Sequence, residues 1–188
     1  FIAPARCTDL VDYLTRAVKG FELMQTKEQL RLVTLDLFEQ LKADNVIYAE
    51  IRFAPLLHLE KGLTPVEVVE TVNAAFTEGK AMTGMEGGLI LCTLRHYTEE
   101  QSMETVQLVQ QFKGTNVLAF DMAGDEAGYP VTAHVKAFQF ANEQGIHCTC
   151  HGGEAKGLKV YGKRWNIFTP RGSDMAYAVR RINNCSII

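Results

Sequence analysis

The sequence predicts an α/β protein built on a parallel sheet, and three observations carry that reading. Helix-periodic stretches and short apolar runs alternate four times along the chain. The runs are rich in β-branched and aromatic residues and nearly continuous in their hydrophobicity, as strands covered on both faces are. Polar residues gather just past the C-terminal ends of those runs, where α/β folds carry ligands and catalysis.

Thr8 to Val18 places Leu10, Tyr13, Leu14 and Ala17 at helical spacing, with Thr8 as the expected cap. A second helix is predicted from Thr26 to about Ala43. Thr26 is its N-cap, Gln29 closes a capping box, and Leu30, Val33, Leu37, Phe38 and Leu41 form its apolar face. Asp44-Asn45 breaks it. Val46 to Phe53 then reads as a strand ended by Ala54-Pro55. Side chains alternate along a strand, so Glu50 and Arg52 share one face, and structural ion pairing is the first expected reason for charges there, with a catalytic role the other reading. Thr64-Pro65 opens a third helix to about Lys80, with Val68, Val69, Val72, Ala75 and Phe76 inward. Leu89 to Leu94 is the second strand, followed by Arg95-His96. A helix from Glu99 to Phe112 leads to the third strand, Val117 to Met122, closed by Ala123-Gly124-Asp125-Glu126. Val131 to Gln144 is a helix ended by Gly145, and Ile146 to Cys150 is the fourth strand.

Composition narrows the function. The 188 residues are 47% apolar and carry a net charge of −3, which fits a soluble globular domain. So small a charge argues against nucleic acid and acidic membrane surfaces as partners. No apolar run reaches the ~20 residues that cross a bilayer. The five cysteines show no C-x-x-C spacing and read as reduced thiols in a cytoplasmic protein. No G-x-G-x-x-G or G-x-x-x-x-G-K loop is present, against a nucleotide-binding Rossmann or P-loop protein. The chain begins at Phe1 without methionine, so its start is expected upstream.

The chemistry is expected at Cys148-Thr149-Cys150-His151-Gly152-Gly153-Glu154. His151 ends a strand and offers a borderline nitrogen ligand. Two glycines let a ligand approach the backbone. Glu154, three residues on, is placed to handle protons beside it. The other histidines, His58, His96, His134 and His147, read as loop or surface residues.

Three motifs in order extend this. Asn45-Val46-Ile47-Tyr48-Ala49-Glu50-Ile51-Arg52-Phe53-Ala54-Pro55, Asp121-Met122-Ala123-Gly124-Asp125-Glu126 and His151-Gly152-Gly153-Glu154-Ala155 resemble the adenosine deaminase family, over about residues 8 to 157. The family's usual last motif is His-Ala-Gly-Glu, so Gly152 departs from it. The resemblance implies a (β/α)8 TIM barrel, here with about four βα units. It implies one catalytic Zn2+ at the C-terminal face and hydrolytic removal of the 6-amino group of adenosine or deoxyadenosine, in purine salvage. By position His151 is implied as a zinc ligand, Glu154 as the catalytic carboxyl that protonates purine N1, and Gly124 as a substrate-binding residue through its backbone N–H. The small-molecule purine nucleoside is then the partner.

The rest of the family pattern is missing. The family takes two further zinc ligands from a His-x-His motif on its first strand and one from an aspartate on its last. This chain has neither His-x-His nor the family's late Asp-Asp pair. Eight βα units need ~250 residues. Residues 1–157 are therefore expected to be a partial deaminase-like barrel that is inactive alone, with open strand edges and poor stability. Residues 158–188 show no α/β pattern and are expected to be a poorly ordered tail. A back-translation of Leu158 to Ile188 can be read in a shifted frame that resembles the family's continuation, including Gly-His-Gly across Ser173-Asp174-Met175-Ala176. There the Met175 and Ala176 codons force glycine, and Asp174 leaves only histidine or tyrosine before it. The expectation is a base lost near the Gly157–Leu158 codons. Two other readings stand beside this one: a non-catalytic half-barrel used for binding, and a deaminase of a related aminopurine such as adenine.

Overall fold

A computed structural model of the chain describes residues 9–153 and 155. A first helix, α1 (Leu10–Phe21), is followed by four helix–strand pairs: α2 (Lys27–Ala43) and β1 (Tyr48–Phe53), α3 (Pro65–Thr83) and β2 (Glu86–Leu94), α4 (Glu99–Gln111) and β3 (Val117–Ala123), and α5 (Val135–Glu143) and β4 (His147–Cys148). The strands form one sheet in the order β1-β2-β3-β4, and every pair is parallel. Consecutive parallel neighbours joined through helices are the repeat of an α/β barrel or open α/β sheet.

Local chemistry sets the helices. α3 carries a complete capping box: Thr64 accepts from the Glu67 N–H and Glu67 reaches back to the Thr64 N–H. Pro65 fills its first position, where no N–H is needed. All five residues expected to face inward, Val68, Val69, Val72, Ala75 and Phe76, are buried. α2 and α3 then pack with Phe38 edge-on to Phe76, ring centroids 5.0 Å apart. Gly79 makes this approach possible, because a Cβ there would sit 2.5 Å from the Phe38 ring.

Several local expectations are corrected. α1 is capped by Asp9, whose side chain accepts from the Asp12 N–H, and it runs to Phe21 rather than Val18. Thr26 caps α2, but Gln29 does not close the box. Its side-chain oxygen accepts from the Gln25 N–H one residue earlier. Thr34 lies in the buried stripe of α2 because its hydroxyl donates to the Leu30 carbonyl, which satisfies it inside the helix. The segment from Val131 opens as a 3₁₀ turn, Val131–His134, before α5 begins. β4 is shorter than Ile146–Cys150, with formal pairing only at His147 and Cys148. Two further bonds keep the chain beside β3: Thr149 N–H to the Phe120 carbonyl and His151 N–H to the Met122 carbonyl, both 2.9 Å.

The core lies between the outer face of the sheet and the helices, with Phe120, Leu89, Leu91 and Met122 fully buried. Two of the histidines read as loop or surface residues are buried, His58 in a loop after a 3₁₀ turn and His134 in the turn before α5. His58 is buried with Nδ1 2.8 Å from the Met24 carbonyl. His134 is buried between Ser102 and the Arg95 carbonyl. Each is satisfied by neighbours distant in sequence, which local pattern does not reveal. His96 and His147 are exposed as expected. Among the described residues no helix is long and apolar enough to cross a membrane. The expected tail at 158–188 lies outside the described residues.

Candidate active site

The inner face of the sheet collects charge at the C-terminal ends of its strands. Asp121 is the centre. It sits in the otherwise apolar β3 and has no exposed surface. A buried carboxylate needs partners, and this one has them on three other strands or their extensions. Oδ2 lies 2.9 Å from His151 Nδ1 and 2.7 Å from Arg52 Nε. The arginine contact is one of charge, since its Nε–H is not aligned as a hydrogen bond. Oδ1 accepts from the Thr149 hydroxyl at 2.7 Å, and the Cys92 thiol donates to Oδ2 at 3.6 Å. Burial pushes the Asp121 carboxyl up, but the His151 hydrogen bond, with help from Arg52 and Thr149, outweighs it and holds the group below its ordinary value. Asp121 is therefore an anion inside the sheet.

That anion fixes the tautomer of His151. A carboxylate at Nδ1 requires a proton there, and a guanidinium donor at Nε2 requires a lone pair there. Nε2 now faces Arg52 Nη1 at 3.3 Å. The structural ion pair expected for these charges is formed by Arg52 and not by Glu50. Arg52 turns to Asp121, and Glu50 stays exposed and accepts from the Tyr48 hydroxyl at 2.8 Å. The buried carboxylate wins because water solvates Glu50 and not Asp121. Cys92, Cys148 and Cys150 are pushed up by burial, the last two to about 12, so they remain thiols.

A second buried pair stands beside the first. Arg95, just past β2, and Glu126, after β3, are both almost fully buried with Nη2 3.9 Å from Oε1. Arg95 Nη2 donates to the His151 carbonyl at 2.8 Å. Glu126 accepts from the Gly153 N–H at 2.9 Å and from the Ala155 N–H at 2.8 Å, one on each carboxylate oxygen. Gly124 follows β3 with φ +106°, a backbone that L side chains rarely adopt. Of the three residues expected in the site, the structure places His151 and Gly124 at the strand ends. Glu154 lies outside the described residues. Asp121, Arg95 and Glu126 were given no individual role from sequence. For Asp121 a signal existed, a single acid in the run Val-Leu-Ala-Phe-Asp-Met.

A family model for adenosine deaminase matches residues 2–162. The chain belongs to the adenosine deaminase family. Adenosine deaminase 1 of Streptomyces coelicolor is 39% identical over 171 residues, covering 88% of this chain and 42% of the relative. The chain thus spans under half the length of that family member. The crystal structure of an adenine deaminase from Arthrobacter aurescens aligns with a TM-score of 0.76 at 23% identity, covering 86% of this chain and 49% of that one. An amidohydrolase from Burkholderia ambifaria with bound Zn aligns with a TM-score of 0.66 at 19% identity, covering 76% of this chain and 38% of that one. These likenesses identify the parallel sheet as part of the family's (β/α)8 barrel.

The residues can be tested against a metal. His151 has a carboxylate behind Nδ1, as metal-binding imidazoles do, while its Nε2 is engaged by Arg52 Nη1. Among the described residues no group of three or more His, Cys, Asp or Glu comes together to hold an ion. His151 fits one ligand position, and the described residues do not complete a site.

Proposed function

We propose that this chain is part of a zinc-dependent purine nucleoside deaminase that hydrolyses adenosine or deoxyadenosine to inosine or deoxyinosine and ammonia. The observation that carries the reading is the buried Asp121 carboxylate on His151 Nδ1, at the barrel face where catalysis occurs. Family membership supplies the substrate class. His151 would be one residue to hold zinc, through Nε2, the atom that now faces Arg52 Nη1. Zinc, when bound, would supply Lewis-acid activation of water. Glu154 delivers a proton to purine N1, which makes C6 the better electrophile. Gly124 offers its backbone N–H to the ring, in a conformation that keeps side-chain atoms away. Residues 1–157 form the deaminase-like part of the chain, and residues 158–188 are read out of frame. The fragment alone is inactive, because one ligand does not make a catalytic zinc site.

The test uses a complete barrel containing residues 1–157. It binds one zinc per subunit by elemental analysis and releases ammonia from adenosine. Glu154→Gln lowers kcat about 10²–10⁴-fold while keeping the zinc. A zinc-loaded complete barrel that leaves adenosine intact overturns the reading.

A further inference from the structure

We propose that Arg95 and Glu126 act together as a positioning clamp for the His151–Ala155 segment, setting the backbone on both sides of Glu154. The inference rests on the deaminase reading for what the segment does, but its geometry stands by itself.

The segment needs holding. Gly152 and Gly153 give it more backbone freedom than any other pair of residues could, and Gly153 adopts φ +80°. β4 pairing has already ended at Cys148. Three anchors come from β3 itself: the Phe120 and Met122 carbonyls and the Asp121 side chain, and all act at or before His151. Beyond His151 the described holding contacts pass to the pair. Arg95 Nη2 takes the His151 carbonyl at 2.8 Å, and the two oxygens of Glu126 take the Gly153 and Ala155 N–H groups at 2.9 and 2.8 Å. The two amides on Glu126 come from the residues on either side of position 154, so one carboxylate holds the backbone before and after it. Charge-assisted bonds of this kind are short and strong, and both side chains are almost wholly buried.

The clamp is itself braced. The Arg95 N–H donates to the Ala123 carbonyl at 2.8 Å, and the Arg95 carbonyl faces His134 Nε2 at 3.2 Å. His134 Nδ1 in turn meets the Ser102 hydroxyl at 2.5 Å, and Ser102 meets Thr93 at 2.7 Å. Arg95 is therefore held by β2, β3, α4 and the 3₁₀ turn before α5. Their hydrogen bonds to the segment go to backbone groups, the His151 carbonyl and the Gly153 and Ala155 amides, which is the pattern of positioning and not of proton transfer.

The experiment has two arms. In the chain as it stands, amide hydrogen exchange at Gly153 and Ala155 is slowed, and Glu126→Gln, with one acceptor oxygen instead of two, returns at least one of these amides to the rate of open chain while β3 amides keep their protection. In the complete barrel, Glu126→Gln lowers kcat about 10–100-fold with KM changed less than about threefold and zinc content unchanged. Where Glu126→Gln does not fold, Arg95→Lys keeps the buried charge, loses the bond to the His151 carbonyl, and gives the same kcat-only loss. Unprotected Gly153 and Ala155 amides in the unsubstituted chain overturn the clamp. Protected amides with an undiminished kcat in both variants overturn its role in positioning. A complete barrel with no deaminase activity refutes the functional reading instead, and the exchange result still decides whether the clamp exists.

Discussion

Asp121 has no exposed surface, so its cost has to be offset by what it holds. It holds the ring of His151, the guanidinium of Arg52 and the hydroxyl of Thr149, three groups from different parts of the chain. Asp121→Asn keeps the shape and removes the charge. The amide oxygen can still accept from His151 Nδ1, but it carries no charge, and Arg52, with 19% of its side chain exposed, is left without a counter-charge. The substitution should cost about 3–5 kcal/mol of stability in urea unfolding. In a complete barrel it should weaken zinc binding about 10–100-fold in competition with a chromophoric chelator, since it releases the tautomer and the ring orientation. Unchanged zinc affinity would show that Asp121 serves the fold and not the ligand.

At the scale of elements, the helices were legible because their signals are local. Thr64-Pro65 with Glu67 is a complete start signal within four residues, and the Val68–Phe76 stripe is a period within one helix. Which charge pairs with Arg52 was not legible, because Glu50 is near in sequence and Asp121 is near only once β1, β2 and β3 are side by side. The burial of His58 and His134 was hidden for the same reason: each is satisfied across element boundaries, at Met24 and at Ser102 with Arg95. Those two histidines make acid stability an element-scale property. Burial lowers both below the ordinary value of 6.5. The unfolded chain therefore binds protons that the folded chain refuses, and stability present above about pH 6.5 is lost as pH falls below it. A second loss follows under more acid conditions, as pH drops through the lowered value of Asp121. The urea midpoint should be level from about pH 8 to 7 and fall between about pH 6.5 and 5. A midpoint that does not move in that window would mean that His58 and His134 are charged in the fold.

At the scale of the molecule, the described sheet has one unpaired side on β1 and one on β4, and the outer residues Ile47 and Tyr48 are 84% and 54% exposed beside the first of them. In a closed barrel every strand has two neighbours. The chain spans 42% of the length of the Streptomyces relative, and the family model's match ends at residue 162, five residues past the proposed loss of frame after Gly157. A single missing base makes a sharp prediction about nucleic acid rather than protein. DNA read across the Gly157–Leu158 codons, one base out of phase, should spell a Gly-His-Gly over the codons of Ser173-Asp174-Met175-Ala176 and continue into an Asp-Asp pair. Restoring that base, together with the strand that carries His-x-His, should supply the remaining zinc ligands, pair both open edges, and bring back zinc binding and deamination together. If the shifted frame reads into stop codons or unrelated sequence, residues 158–188 are genuine coding sequence. The family's chemistry then ends at the His151–Ala155 segment, and a non-catalytic half-barrel becomes the better account of this chain.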